Sequence, residues 1–295
     1  MDRGLQARGF PGGFLGLVVA LVITLSGCVH LSKNDAFPSP ARVINLSGAP
    51  IVPKSLGDIV AVPITVGARS VQAYRLRTAN STGVLLFFGG SGNDTESQLR
   101  VLGPSVAALG LDLVVFSYYV EGESVPTVSE ARVIGRAVYA ATAGRQAASE
   151  QRVFLMGHSL GAWFALDVAS NLPVAGLAVV GAATTATDVI RATSFWARLA
   201  NIQADEDSAQ LNSQLFAPKV TVRSLVVTSE KDTDVPASIS KTVFQQLPMS
   251  LDKQLLVLQD ASHATYFRDA GLWDAVKTFF KLPQTPVAVQ AGATK

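Results

Sequence analysis

A serine that is to act as a nucleophile near neutral pH needs an exposed hydroxyl, a base within reach, and donors for the charge its attack creates. Ser159 stands in Gly157-His158-Ser159-Leu160-Gly161, behind the apolar run Val153, Phe154, Leu155 and Met156 and ahead of apolar and small residues over 162–169. The run has the length of a strand buried on both faces, and the stretch after it suits a helix packed back on that strand. A turn from one to the other in so few residues points the Ser159 side chain outward. It leaves no room for a Cβ at Gly157 or Gly161, where backbone passes close to neighbouring elements.

Three histidines compete for the role of base. His30 lies in a polar, proline-rich stretch and reads as a solvated bystander. His158 occupies the variable position of the turn, pointing away from the base's side, and is expected to pack or cap. His263, in Asp260-Ala261-Ser262-His263-Ala264-Thr265-Tyr266-Phe267, follows the apolar run 255–258. That places it on a loop at a strand's carboxyl end, where the active sites of open α/β sheets collect. His263 is therefore the expected base.

A base of this kind needs a carboxylate to hold its tautomer and stabilise the imidazolium. The strand expected at 225–228 runs into Ser229-Glu230-Lys231-Asp232-Thr233-Asp234-Val235-Pro236, which offers Asp232 and Asp234. One oxyanion donor should be the backbone N–H of Leu160, directly after the nucleophile. The other should come from Gly89-Gly90-Ser91-Gly92-Asn93-Asp94, with Gly90 or Ser91 as candidates. Glycine-rich loops also cradle phosphates, but no Lys-Ser/Thr pair follows this one, so a P-loop is not indicated.

The rest of the chain supplies the frame. Strands are expected at 59–66 and 71–77 around Gly67, then at 84–88, 112–116, 153–156, 174–180, 225–228 and 255–258. Helices are expected over 96–109, 129–143 with Ser129 as cap, 162–169, 238–247 and 272–280. Strands alternating with helices predict a mostly parallel sheet covered on both faces. Over 184–220, Phe195, Trp196, Leu199 and Ile202 fall near one helical face with Arg191 and Arg198 nearby. That fits an apolar lid stripe or a core-facing helix.

Composition narrows the function. The 295 residues are 48% hydrophobic and 16% charged, with a formal net charge of +2, so no basic face invites nucleic acid. A single cysteine excludes an intrachain disulfide, and three histidines with no acidic cluster leave no expected metal or cofactor site. At the amino terminus, Arg3 and Arg8 precede an apolar run over 14–25 that ends in Leu25-Ser26-Gly27-Cys28. This is the layout of a secretory signal, too short to span a membrane comfortably. The stretch 29–53, with Pro38, Pro40, Pro50 and Pro53, reads as a tether.

Two resemblances follow. Leu-Ser-Gly-Cys resembles the lipobox of bacterial lipoproteins, which implies acylation of Cys28 and a lipid-anchored envelope location. Val29 stands where an inner-membrane retention aspartate would, so the resemblance favours the outer membrane. The glycine loop, the Ser159 turn, Asp232-x-x-Val235-Pro236 and His263, in that order, resemble the α/β-hydrolase superfamily of serine hydrolases over 59–280. In that family the acid commonly stands in a D-x-x-V-P setting, which Asp232 matches and Asp234 does not. Phe88 stands where family members often carry a histidine before the oxyanion glycines.

The resemblances imply a signal peptide over 1–27, an anchor and tether over 28–55, and a hydrolase domain over 56–283 with a short lid at about 184–220. A disordered tail is expected over 284–295. The implied function is hydrolysis of a carboxylic ester or thioester, with a small or lipid-like acyl substrate. A peptidase on the same residues, and a non-catalytic binding lipoprotein, are the alternatives.

Overall fold

Strands that read as unbroken apolar runs lie at the centre of the sheet. The computed structural model describes residues 29–37, 50–92, 94–120, 125–147, 152–193 and 202–282. In chain order its elements are β1 (Val29–Leu31), the single turn α1 (Lys33–Ala36), β2 (Asp58–Val66), β3 (Arg69–Arg77), β4 (Gly83–Phe88) and α2 (Thr95–Ala108). There follow β5 (Asp112–Val120), α3 (Val128–Ala147), β6 (Arg152–His158), α4 (Leu160–Asn171), β7 (Gly176–Val180), α5 (Ala186–Thr193) and β8 (Ile202–Ala204). β9 (Ser224–Ser229), α6 (Ala237–Gln246), β10 (Lys253–Leu258) and α7 (Ala270–Phe279) complete the domain.

Eight strands form one sheet in the order β10-β9-β7-β6-β4-β5-β3-β2. Every pairing from β10 to β5 is parallel, while β3 and β2 run antiparallel at one edge as a hairpin around Gly67. All residues of β4, β7 and β9 are buried, as strands covered on both faces must be. One apolar layer gathers α3, α4 and α6 through Val138, Phe164 and Val243; the other gathers α2 and α7 through Leu102 and Val276. This is the α/β-hydrolase architecture that the motifs imply.

The helix caps refine the sequence reading. Asp94 caps α2, its carboxylate accepting the Ser97 N–H at 2.8 Å. α3 is capped by Thr127, not by Ser129. The Thr127 hydroxyl accepts the Glu130 N–H at 3.0 Å, and the Glu130 carboxylate accepts the Thr127 N–H at 2.8 Å. This reciprocal capping box needs a Glu three residues after the cap, and only Thr127 has one.

The described part of 29–53 is not a free tether. β1 pairs in parallel with β8, Val29 opposite Ile202 and Leu31 opposite Ala204. Phe37 is buried, as are Ile51 and Val52. Burying these apolar side chains opposes the chain entropy that would keep a linker loose. Within 184–220, Leu211, Phe216, Ala217 and Val220 are buried in the same layer as α4. The signal segment 1–27, Cys28, Asn93, the stripe residues Phe195, Trp196 and Leu199, Arg198, and the tail 284–295 lie outside the described residues.

Candidate active site

The sheet brings its carboxyl ends to one level. Gly157 lies opposite Phe88, His158 opposite Val180, Val180 opposite Val227, and Ser229 opposite Leu258. From β4 the chain crosses to β5 on one side and then to β6 on the other. That reversal of direction opens the crevice in which α/β sheets hold their ligands.

Ser159 follows β6 with φ 52° and ψ −121°, a left-handed conformation rare for a residue with a side chain. Strain of this kind costs on the order of 1–3 kcal/mol and persists only where the surroundings impose it. Here the Ser159 N–H donates to the Val180 carbonyl at 3.0 Å, and its carbonyl accepts from Ala162 at 2.9 Å. A Cβ on Gly161 would stand 2.0 Å from the Phe88 carbonyl oxygen, and one on Gly157 2.5 Å from that of Gly161. Both glycines are therefore required by close approach. The packing that excludes their side chains also seats the start of the glycine loop on the first turn of α4.

Asp232 is buried just after β9; its N–H donates to the Ser229 carbonyl at 3.2 Å, and four groups converge on its carboxylate. Oδ1 accepts the N–H groups of Asp234 at 3.0 Å and Val235 at 2.8 Å. Oδ2 accepts the Tyr266 hydroxyl at 2.8 Å and lies 2.8 Å from His263 Nδ1. Burial works to raise the Asp232 pKa. The contact with His263, the Val235 N–H and the Tyr266 hydroxyl outweigh it, so the carboxyl ends below its ordinary value. Tyr266 is itself pushed up, first by burial and then by the neighbouring carboxylate, so it stays a neutral donor. Asp234 contributes its backbone N–H to this arrangement, and its carboxylate does not reach His263 in the way that of Asp232 does.

His263 arrives from the loop after β10 with its Nδ1 side committed to Asp232. Its ring lies 4.7 Å from that of His158, the residue immediately before Ser159. Gly181, with φ +55°, backs the same pair: a Cβ there would stand 3.1 Å from His263 Cε1 and 3.3 Å from Asp232 Oδ2. The structure thus brings His263 and Asp232 together beside His158, the residue next to Ser159 in the chain. Among the described residues the Ser159 hydroxyl forms no hydrogen bond, and catalytic contacts of this kind commonly tighten only around bound substrate.

Leu160 opens α4, and the first N–H groups of a helix have no partner within it. Gly90 is buried and Ser91 half-buried on the loop after β4. The Tyr118 hydroxyl donates to the Gly89 carbonyl at 3.3 Å and steadies that loop from below.

Two participants escaped the sequence reading. His158 packs, as expected, but does not face away: its Nε2 lies 3.0 Å from the His263 carbonyl oxygen, and its ring lies tilted at 35° against the histidine it helps to hold. Tyr266, fully buried, is the hydroxyl donor to Asp232. Its only signal was position, three residues after His263.

Residues 134–282 match the prolyl oligopeptidase family, a stretch that holds Ser159, Asp232 and His263. The fold is similar to that of an esterase from Pyrococcus furiosus, with a TM-score of 0.63 and 14% identity over 82% of this chain and 96% of that one. It is similar to a dienelactone hydrolase from Anabaena variabilis, at 0.55 and 18% over 75% of this chain and 94% of that one. An acylaminoacyl peptidase from Pyrococcus horikoshii aligns at 0.57 and 13%, over 76% of this chain and 41% of that one. At such identities these likenesses speak for the fold. No curated protein matches the chain in sequence.

Proposed function

From the premise that this chain belongs to the prolyl oligopeptidase family and is a serine hydrolase, we propose that it cleaves a carboxylic ester or thioester through an acyl-enzyme on Ser159. The observation that carries this reading is the 2.8 Å contact of His263 Nδ1 with Asp232 Oδ2 beside the strained Ser159 turn. With Nδ1 held as donor to the carboxylate, Nε2 is left as the basic nitrogen.

The Ser159 hydroxyl attacks the substrate carbonyl carbon while its proton passes to His263 Nε2. The negative charge that moves to the carbonyl oxygen is met by the N–H of Leu160 and that of Gly90 or Ser91. Collapse expels the alcohol or thiol, which takes the proton from His263. Water then attacks the acyl-enzyme by the same route, releasing the acid and restoring Ser159. Asp232 orients the imidazole and balances its charge throughout.

The two aspartates separate this reading from a merely structural cluster. Asp232→Asn is expected to lower kcat on p-nitrophenyl acetate by about 10⁴-fold by holding the wrong tautomer, while Asp234→Asn stays near wild type. Equal, small losses in both would remove Asp232 from the mechanism.

The family match and the peptidase neighbour favour a second reading, a peptidase on the same residues. Aminoacyl p-nitroanilides assayed beside the nitrophenyl esters distinguish the two. A purely binding role gives way, since nothing in the Ser159, His263 and Asp232 set is eroded. For location we propose acylation at Cys28 and attachment to the envelope membrane, supported by the signal-like residues before it. No helix among the described residues is long and apolar enough to cross a membrane.

A further inference from the structure

The glycine loop that is to supply an oxyanion donor also covers a small pocket. Gly90, Ser91 and Gly92 line it from above, and Gln98, Phe116, Ser117 and Tyr118 from below. Phe37 closes it. This residue comes from the amino-terminal segment, outside the expected bounds of the hydrolase domain, yet only 2% of it is exposed. Its ring stacks on Phe164 at 6.2 Å and 18° and meets Tyr118 edge-on at 5.8 Å. Phe164 lies one turn beyond Gly161 in α4, so Phe37 rests on the helix that carries the nucleophile.

A carbonyl whose oxygen sits at the N–H groups of Leu160 and Gly90 or Ser91 must place its acyl substituent beside this loop. The Phe37 ring is one wall of the pocket there, which leaves only about 10 Å³ free. Gln98, 6% exposed, lines it with an Oε1 that has no hydrogen-bond partner among the described residues. A long hydrocarbon chain would leave that oxygen unpaired, whereas a short acyl group leaves it to water or to a polar substituent.

We infer that Phe37 is a specificity-determining residue that closes the acyl pocket and restricts the enzyme to short acyl groups. The inference rests on the ester reading of the site. Phe37 is supplied by a segment whose strand, β1, pairs with β8, far from the pocket in sequence. Specificity is then set by chain that the catalytic fold does not itself contain.

The test compares kcat/KM for p-nitrophenyl acetate, butyrate, octanoate and laurate in the wild type, Phe37→Leu and Phe37→Ala. Rates are expressed per active site titrated with a fluorophosphonate, so that loss of folded protein does not enter. The wild type should prefer acetate and butyrate. The octanoate-to-acetate ratio should rise by about tenfold or more in Phe37→Ala and by less in Phe37→Leu. A fall of all esters by one common factor, or an unchanged ratio, would overturn the role of Phe37 while leaving the esterase intact. Titration of Ser159 without turnover of any ester would overturn both readings.

Discussion

At the scale of single residues, the site depends on a second histidine that must not ionise. Burial, and after it the charge of His263, pull the His158 pKa down from the ordinary imidazole range to about 3. A neutral ring can donate Nε2–H to the His263 carbonyl and lie against the catalytic imidazole without repelling it. The sign follows from the depressed value. Between about pH 6.5 and pH 3 the unfolded chain binds a proton at this residue and the folded chain does not. Stability therefore drops as pH is lowered from about 6.5 to 3, by on the order of 1 kcal/mol per pH unit. His158→Phe keeps the packing and removes the titration. Thermal unfolding between pH 4 and 7 should show a flatter acid limb for the variant than for the wild type. Parallel curves would mean that His158 is not the group responsible.

At the scale of elements, the nucleophile's helix is pinned to its neighbour by one buried carboxylate. Asp167 of α4, 1% exposed, receives Arg136 at 2.7 Å and Arg132 at 3.0 Å from α3. Asp167→Ala leaves both guanidinium groups without their partner, but these are 26% and 42% exposed and can turn to water. The cost should be below that of a fully buried pair, about 2 kcal/mol, seen as a fall in Tm of roughly 4–8 °C. An unchanged Tm would show that α3 and α4 are held by apolar packing alone.

What could be read in the sequence was what short spacing dictates. Gly157 and Gly161 around Ser159 announce a turn with no room for side chains, and the structure shows the carbonyls that fill that room. The apolar runs before Gly89, Gly157 and Ser229 announce buried strands ending at one level. What could not be read depends on partners distant in the chain. Phe37 sits in a stretch with the composition of a linker, and only Phe164 and Tyr118 reveal it as core. β1 and β8 are three residues each and show no periodicity; their pairing exists only in three dimensions. The contact of His158 with His263 likewise joins the end of β6 to a loop distant from it in the chain.

At the scale of the whole molecule, β1 begins directly after Cys28, so the proposed anchor adjoins the folded domain with almost no slack between them. Acyl chains contribute roughly 0.8 kcal/mol for each buried CH₂, so a lipidated Cys28 would hold the enzyme firmly at a bilayer. Cys28→Ser should move the protein from the membrane fraction to the soluble fraction and abolish incorporation of a clickable palmitate analogue. Retention in the membrane without label would refute lipidation at this residue.

The most direct measurement of the central claim is labelling of the full chain with a fluorophosphonate, followed by mass spectrometry of the peptide containing Ser159. The phosphonyl adduct should lie on Ser159, be lost in Ser159→Ala, and form far more slowly in His263→Ala. An adduct on another residue, or wild-type labelling speed without the His263 imidazole, would contradict it.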